Sequence, residues 1–114
     1  MNDGARVSSV DFQHLETYVA GDRGLVREVL SLFSDHARTV LPTLNPDGPD
    51  EDWRNAAHAL KGSALGIGAF TLAEVCSQAE LLKSAPADEK RQARSKVADA
   101  LGQVLMDIAL YNRG

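Results

Sequence analysis

The chain has 114 residues, 44% of them apolar, with a formal charge of −4 and a single cysteine. That length fits one domain able to bury a core without staples, and the acid excess excludes the basic patch a nucleic-acid binder needs. Cys76 alone excludes an internal disulfide and a cysteine-based zinc site, and no run approaches the ~20 apolar residues of a membrane span.

Met1-Asn2-Asp3-Gly4 lacks the basic and apolar regions of a signal peptide, so a cytoplasmic location is expected. Residues 1–8 are small and polar and read as a loose N-terminus, with one domain over 9–114. Asp11 opens a short amphipathic segment with Phe12, Leu15 and Val19 on one side, and Gly21 ends it. Asp22 reads as the N-cap of a long helix. That helix carries Leu25, Val26, Val29, Leu30, Phe33, Ala37, Val40, Leu41 and Leu44 at helical spacing. Pro42 lacks a backbone donor and should kink or thin its last turn.

Asn45-Pro46-Asp47-Gly48-Pro49-Asp50 is turn chemistry. Asp47 or Gly48 is expected to cap the next helix, with Pro49 in its first position. This third helix runs over about 49–66 and breaks at Gly66-Ile67-Gly68. A fourth covers Phe70 to Ser84, with Leu72, Val75, Cys76, Ala79 and Leu82 inward; there Cys76 reads as a small buried hydrophobe. After the turn Ser84-Ala85-Pro86-Ala87, the last helix runs from Asp88 to Asn112, with Val97, Leu101, Val104, Leu105 and Ile108 inward. Its basic cluster, Lys90-Arg91 and Arg94, reads as a solvated face. No segment alternates with the period of a strand. The fold class is therefore all-α: an antiparallel up-down-up-down four-helix bundle with a short extra N-terminal helix across one end.

One stretch in the third helix carries the chemistry. At about 100° per residue, Trp53, Ala56, Ala57, Leu60, Ala64 and Ile67 fall on one side of it. His58, Lys61, Gly62 and Leu65 fall on the other, with Arg54 a turn earlier. The apolar stripe packs inward, so His58 faces water or a partner. Imidazole is a neutral nucleophile near pH 7. Lys61, at i+3, can set a positive charge beside an anion on it. Gly62 costs about 1 kcal/mol in mid-helix relative to alanine, and removes a side chain where another protein must approach closely. Leu65 and Ala69 continue this face as an exposed apolar strip suited to docking. Together these residues point to phosphoryl chemistry performed with a second protein.

Other constellations carry less. His14 and His36 read as solvated residues without a task. Ser63 follows His58 by about 500° of rotation, so the two side chains point apart and no triad forms. Gly62-Ser63-Ala64-Leu65-Gly66-Ile67-Gly68 is glycine-rich but lacks the phosphate-loop order and a preceding strand. No ligand spacing suggests a metal, and no cofactor is expected.

The run Ala57-His58-Ala59-Leu60-Lys61-Gly62-Ser63-Ala64, then Leu65-Gly66, Leu72, Cys76 and Glu80, resembles the histidine-containing phosphotransfer (HPt) domain family. The resemblance extends over about residues 10–112. It implies a relay protein that takes a phosphoryl group from the aspartyl phosphate of one receiver domain and passes it to another, without kinase or phosphatase activity. The partners it implies are response-regulator receivers or the receiver of a hybrid histidine kinase. By the same resemblance, His58 matches the phosphoacceptor, modified on Nε2; Lys61 the lysine near the phosphoryl group; and Gly62 the glycine that keeps the site open. Glu80 falls where the family often has a glutamine that accepts a hydrogen bond from Nδ1. The carboxylate is similar to that of the chemotaxis-kinase phosphotransfer domain. It would fix the tautomer that leaves Nε2 free to attack.

Two rivals remain on the sequence. A sequestering module could use the same face without carrying phosphate, and would not need His58. A kinase dimerisation domain also offers a helical histidine, but as a hairpin completed by a second chain. Four amphipathic helices should close a core as a monomer instead. The Met1 start favours a freestanding protein over a piece of a hybrid kinase.

Overall fold

The computed structural model describes residues 8–113. Apart from Ser8, the expected loose N-terminus lies outside the described residues. Five α-helices follow in order: α1 Phe12–Tyr18, α2 Arg23–Val40, α3 Asp50–Gly66, α4 Phe70–Glu80 and α5 Ala87–Arg113. No strand occurs among the described residues, and none of their helices is long and apolar enough to cross a membrane. Helices α2 to α5 form the bundle, with α3 packed most extensively on α4 and α4 on α5.

Local chemistry sets the element ends. Asp11 caps α1 by accepting from the His14 amide at 2.9 Å, and Asp22 caps α2 by accepting from the Leu25 amide at 3.0 Å. Between them the chain reverses through Ala20 at φ 56° and Gly21 at φ 78°, a left-handed step that glycine takes without a steric cost. Val40 passes into a 3-10 turn, Leu41–Thr43, with Pro42 inside it. That is the thinning its missing donor imposes.

Three boundaries and faces differ from expectation. Pro49 is the N-cap of α3, at φ −61° and ψ 142°, and neither Asp47 nor Gly48 caps the helix. Asp50, Glu51 and Asp52 crowd the first turn instead, where acidic side chains complement the helix dipole. Helix α4 ends at Glu80, not Ser84; Leu82 packs against the core from the turn that follows, so the inward apolar pattern continues beyond the helix. The basic cluster on α5 is not a solvated face. Lys90 is 2% exposed and pairs with Asp50 at 2.7 Å, and Arg94 donates to the Leu44 carbonyl at 3.0 Å. Only Arg91 is exposed, bonded to Asp47 and Asp88. These bonds fasten the start of α5 to α3 and to the turn before it.

The core joins Val26, Leu30, Phe33 and Ala37 of α2, Trp53, Ala57, Leu60 and Ala64 of α3, Leu72, Cys76 and Ala79 of α4, and Val97, Leu101, Val104 and Ile108 of α5. Burial pushes the Cys76 thiol up to about 12, so it is an unreactive neutral hydrophobe in the folded chain. Helix α1 lies across one end. The Asp11 amide donates to the Gly68 carbonyl at 3.0 Å, and the rings of Phe12 and Tyr111 stack at 4.4 Å. Ser9 bonds the buried Asp107 carboxylate through both its amide and its hydroxyl, at 2.8 and 2.7 Å.

The Lys90–Asp50 pair is asymmetric, since the Asp50 side chain is 55% exposed and that of Lys90 only 2%. Asp50→Ala strands an ammonium under protein and should cost about 3 kcal/mol, whereas Lys90→Met keeps the stem's packing, returns Asp50 to water, and should cost under about 1 kcal/mol. Denaturant midpoints of the two variants test this, and equal losses would show that burial is not what decides the cost.

Candidate functional site

Helix α3 buries Trp53, Ala56, Ala57, Leu60 and Ala64. That fixes its rotation and turns His58 outward, its side chain 68% exposed. The ring is not free to spin. Its Nδ1 lies 3.1 Å from Oε2 of Glu80, whose own side chain is 22% exposed. A carboxylate can only accept, so Nδ1 carries a proton, and in the neutral ring the lone pair then lies on Nε2. The two side chains meet across the α3–α4 packing, 22 residues apart in sequence. An oriented imidazole with an exposed Nε2 is a nucleophile that an external electrophile can reach.

Gly62, one turn on, is exposed. A Cβ built there meets nothing within 4 Å, and the same is true of Gly66 a further turn on. Nothing inside the protein requires glycine at either position. Lys61 is half-buried and takes part in no ion pair among the described residues, so none of their carboxylates takes up its charge. Arg54 is different. It bonds Glu51 at 3.0 Å and Asn55 at 2.9 Å. Glu51 also holds Lys83 at 3.4 Å; Arg54 first, then Lys83, keep its carboxyl below the usual range. Arg54 is thus tied to its own helix rather than directed at His58.

The expected docking strip is corrected at one residue. Leu65 is 47% exposed, but Ala69 is fully buried. Helix α3 ends at Gly66, so the spacing that placed Ala69 beside Leu65 no longer applies. Ala69 sits in the turn before α4, its amide donating to the Ala64 carbonyl at 2.8 Å. Phe70, 51% exposed, stands outside instead. His14 is exposed but not alone, its ring edge-on to Phe70 at 6.2 Å; His36 is exposed. Ser63 points toward α2, lining an apolar groove of about 270 Å³ with Val29, Leu32, Phe33, Gly66 and Ile67. Leu32, 64% exposed, was detectable as a large apolar residue off the α2 stripe. Among the described residues no cluster of three or more His, Cys, Asp or Glu could hold a metal ion.

With this geometry in view, comparison with known proteins places the chain. The Hpt domain model matches residues 28–109, and the chain belongs to the Hpt domain family, whose members are phosphotransfer intermediates that work with receiver domains of two-component systems. The chain is also similar to a solved structure, the histidine phosphotransferase ShpA from Caulobacter crescentus. The two share 40% identity with a TM-score of 0.77, over 93% of this chain and 92% of that one. No curated protein matches the chain. Histidine phosphotransfer in a phosphorelay is the general activity this membership carries.

Proposed function

We propose that His58 accepts a phosphoryl group on Nε2 from the aspartyl phosphate of a receiver domain and returns it reversibly to the aspartate of a second receiver. The observation that carries this reading is the 3.1 Å contact between Nδ1 and Glu80 on an imidazole that is otherwise open to solvent. In the forward step the phosphorus–oxygen bond of the aspartyl phosphate breaks and a phosphorus–Nε2 bond forms. The receiver's carboxylate is the leaving group, and the Nδ1 proton stays on the ring, hydrogen-bonded to Glu80. Phosphorylation leaves positive charge on the imidazole, which the Glu80 carboxylate stabilises. Lys61 offsets charge on the phosphoryl oxygens.

A receiver approaching His58 along α3 meets bare backbone at Gly62 and the apolar side chain of Leu65. In this reading the chain supplies a positioned nucleophile, and intrinsic kinase activity is not part of it. The test is transfer of labelled phosphate from a phosphorylated receiver. Acid-labile, base-stable label on this chain, chased off by a second receiver, is the expected result; absence of label across receivers that bind the chain would favour a sequestering module. Lys61→Ala should bind the receiver normally and transfer about tenfold more slowly. An unchanged single-turnover rate would remove Lys61 from the mechanism.

A further inference from the structure

We propose that Trp53 is a positioning residue for phosphoryl transfer: its indole N–H fixes the end of α4 so that Glu80 meets His58 in the orientation that leaves Nε2 free. This rests on the role proposed above for Glu80. Glu80 is the last residue of α4, and helix ends leave carbonyls without intrahelical partners and fray. A residue in that position is a poor anchor for an imidazole unless something holds the terminus. Trp53 does so. Its Nε1 donates to the carbonyl of Ala79, the residue next to Glu80, at 2.7 Å, in a fully buried contact. The same carbonyl also takes the Leu82 amide at 3.0 Å, so both of its lone pairs are used and the last turn is closed.

The connection runs out from α3 and back to it. Trp53 grips Ala79, and the adjacent Glu80 grips His58, five residues along α3 from Trp53. Two successive residues of α4 are therefore registered against one rigid helix. The indole is held in turn. The Lys90 ammonium lies 5.5 Å from its ring centroid and pairs with Asp50, three residues before Trp53 on the same helix. A buried indole N–H needs an acceptor in any fold. What singles this one out is the acceptor it takes, one peptide away from the carboxylate that orients the reactive ring.

The experiment separates orientation from packing. Trp53→Phe keeps an aromatic ring and removes the donor. Because the chain has one tryptophan, benzothienylalanine can also replace it throughout, keeping the bicyclic shape with sulfur where the N–H was. Nitrogen-15 NMR of His58 reads the tautomer without any phosphoryl transfer. In the unsubstituted chain the Nδ1–H form should dominate. In Trp53→Phe, in the analogue and in Glu80→Ala it should move toward the Nε2–H form of a free side chain. Transfer in the two Trp53 replacements should fall about tenfold, the scale of a small misplacement at a reacting centre. In a Glu80→Ala background, Trp53→Phe should cause no further loss, since the effect runs through Glu80. An unchanged tautomer and rate in the folded analogue, with transfer impaired in Glu80→Ala, would overturn the inference and leave the role of Glu80 standing. Independent, multiplying losses in the double variant would reduce Trp53 to a packing residue. A wild-type rate in Glu80→Ala would overturn the role of Glu80 first, and the inference with it.

Discussion

His58→Gln should abolish phosphoryl acceptance and leave the fold unchanged. The side chain is 68% exposed and has one partner among the described residues, Glu80. Glutamine can still donate an amide hydrogen to that carboxylate, and no buried group is orphaned by the exchange. Surface changes of this kind stay within about 0.5 kcal/mol, so the melting curve should overlay that of the parent. Transfer should drop below detection, because an amide nitrogen has no lone pair available for attack. The measurement is label incorporation from a phosphorylated receiver beside a thermal melt of the same preparation. Equal labelling of the variant would place the acceptor elsewhere. His14 and His36, both exposed, would then be the residues to replace next, although among the described residues neither has a carboxylate partner of the kind that orients His58.

The bundle was legible because its helices bury one face each. Leu30, Phe33 and Ala37, or Trp53, Leu60 and Ala64, recur at helical spacing and are all buried. The outward rotation of His58 follows from the same stripe, and Asp22 marked a helix start because its side chain satisfies an amide the helix cannot. Ends were harder to read. Leu82 prolongs the inward stripe past Glu80 and still packs against the core after the helix has ended, so the stripe does not mark where α4 stops. Ala69 was misplaced for a related reason: periodicity has meaning only while the helix continues, and α3 stops three residues before it. Lys90 was misread because its partner Asp50 is 40 residues away, and a charged run gives no sign of which member will be drawn inside. The His58–Glu80 contact crosses two helices, so family resemblance, rather than any spacing, suggested it. The Trp53–Ala79 bond was beyond reach, because a backbone acceptor has no sequence identity.

Gly62→Gln should make the protein more stable and a worse phosphotransfer partner. Glycine in mid-helix costs about 0.8–1 kcal/mol relative to alanine, and glutamine is among the better helix formers. A Cβ at residue 62 meets nothing within 4 Å, so the folded chain accommodates the new side chain without strain and recovers most of that cost. For a domain of this size the melting temperature should rise by about 3–5 °C. The side chain would project from the face that carries His58, one turn along α3, where a receiver must bring an aspartyl phosphate to within bonding distance of Nε2. Filling that space should lower the transfer rate by at least about tenfold, since displacement of about 1 Å at a reacting centre is enough to do so. Gly62→Ala, with a single added carbon, should show the same gain in stability with a smaller loss of transfer. The opposing signs are the informative part. A variant that destabilised the fold would point to a structural need for glycine that the open surroundings do not provide. One that raised stability and transferred at the parent rate would mean the receiver does not approach over Gly62. A stability gain coupled to a transfer loss identifies Gly62 as a position where the chain gives up helix stability to keep its partner's path to His58 clear.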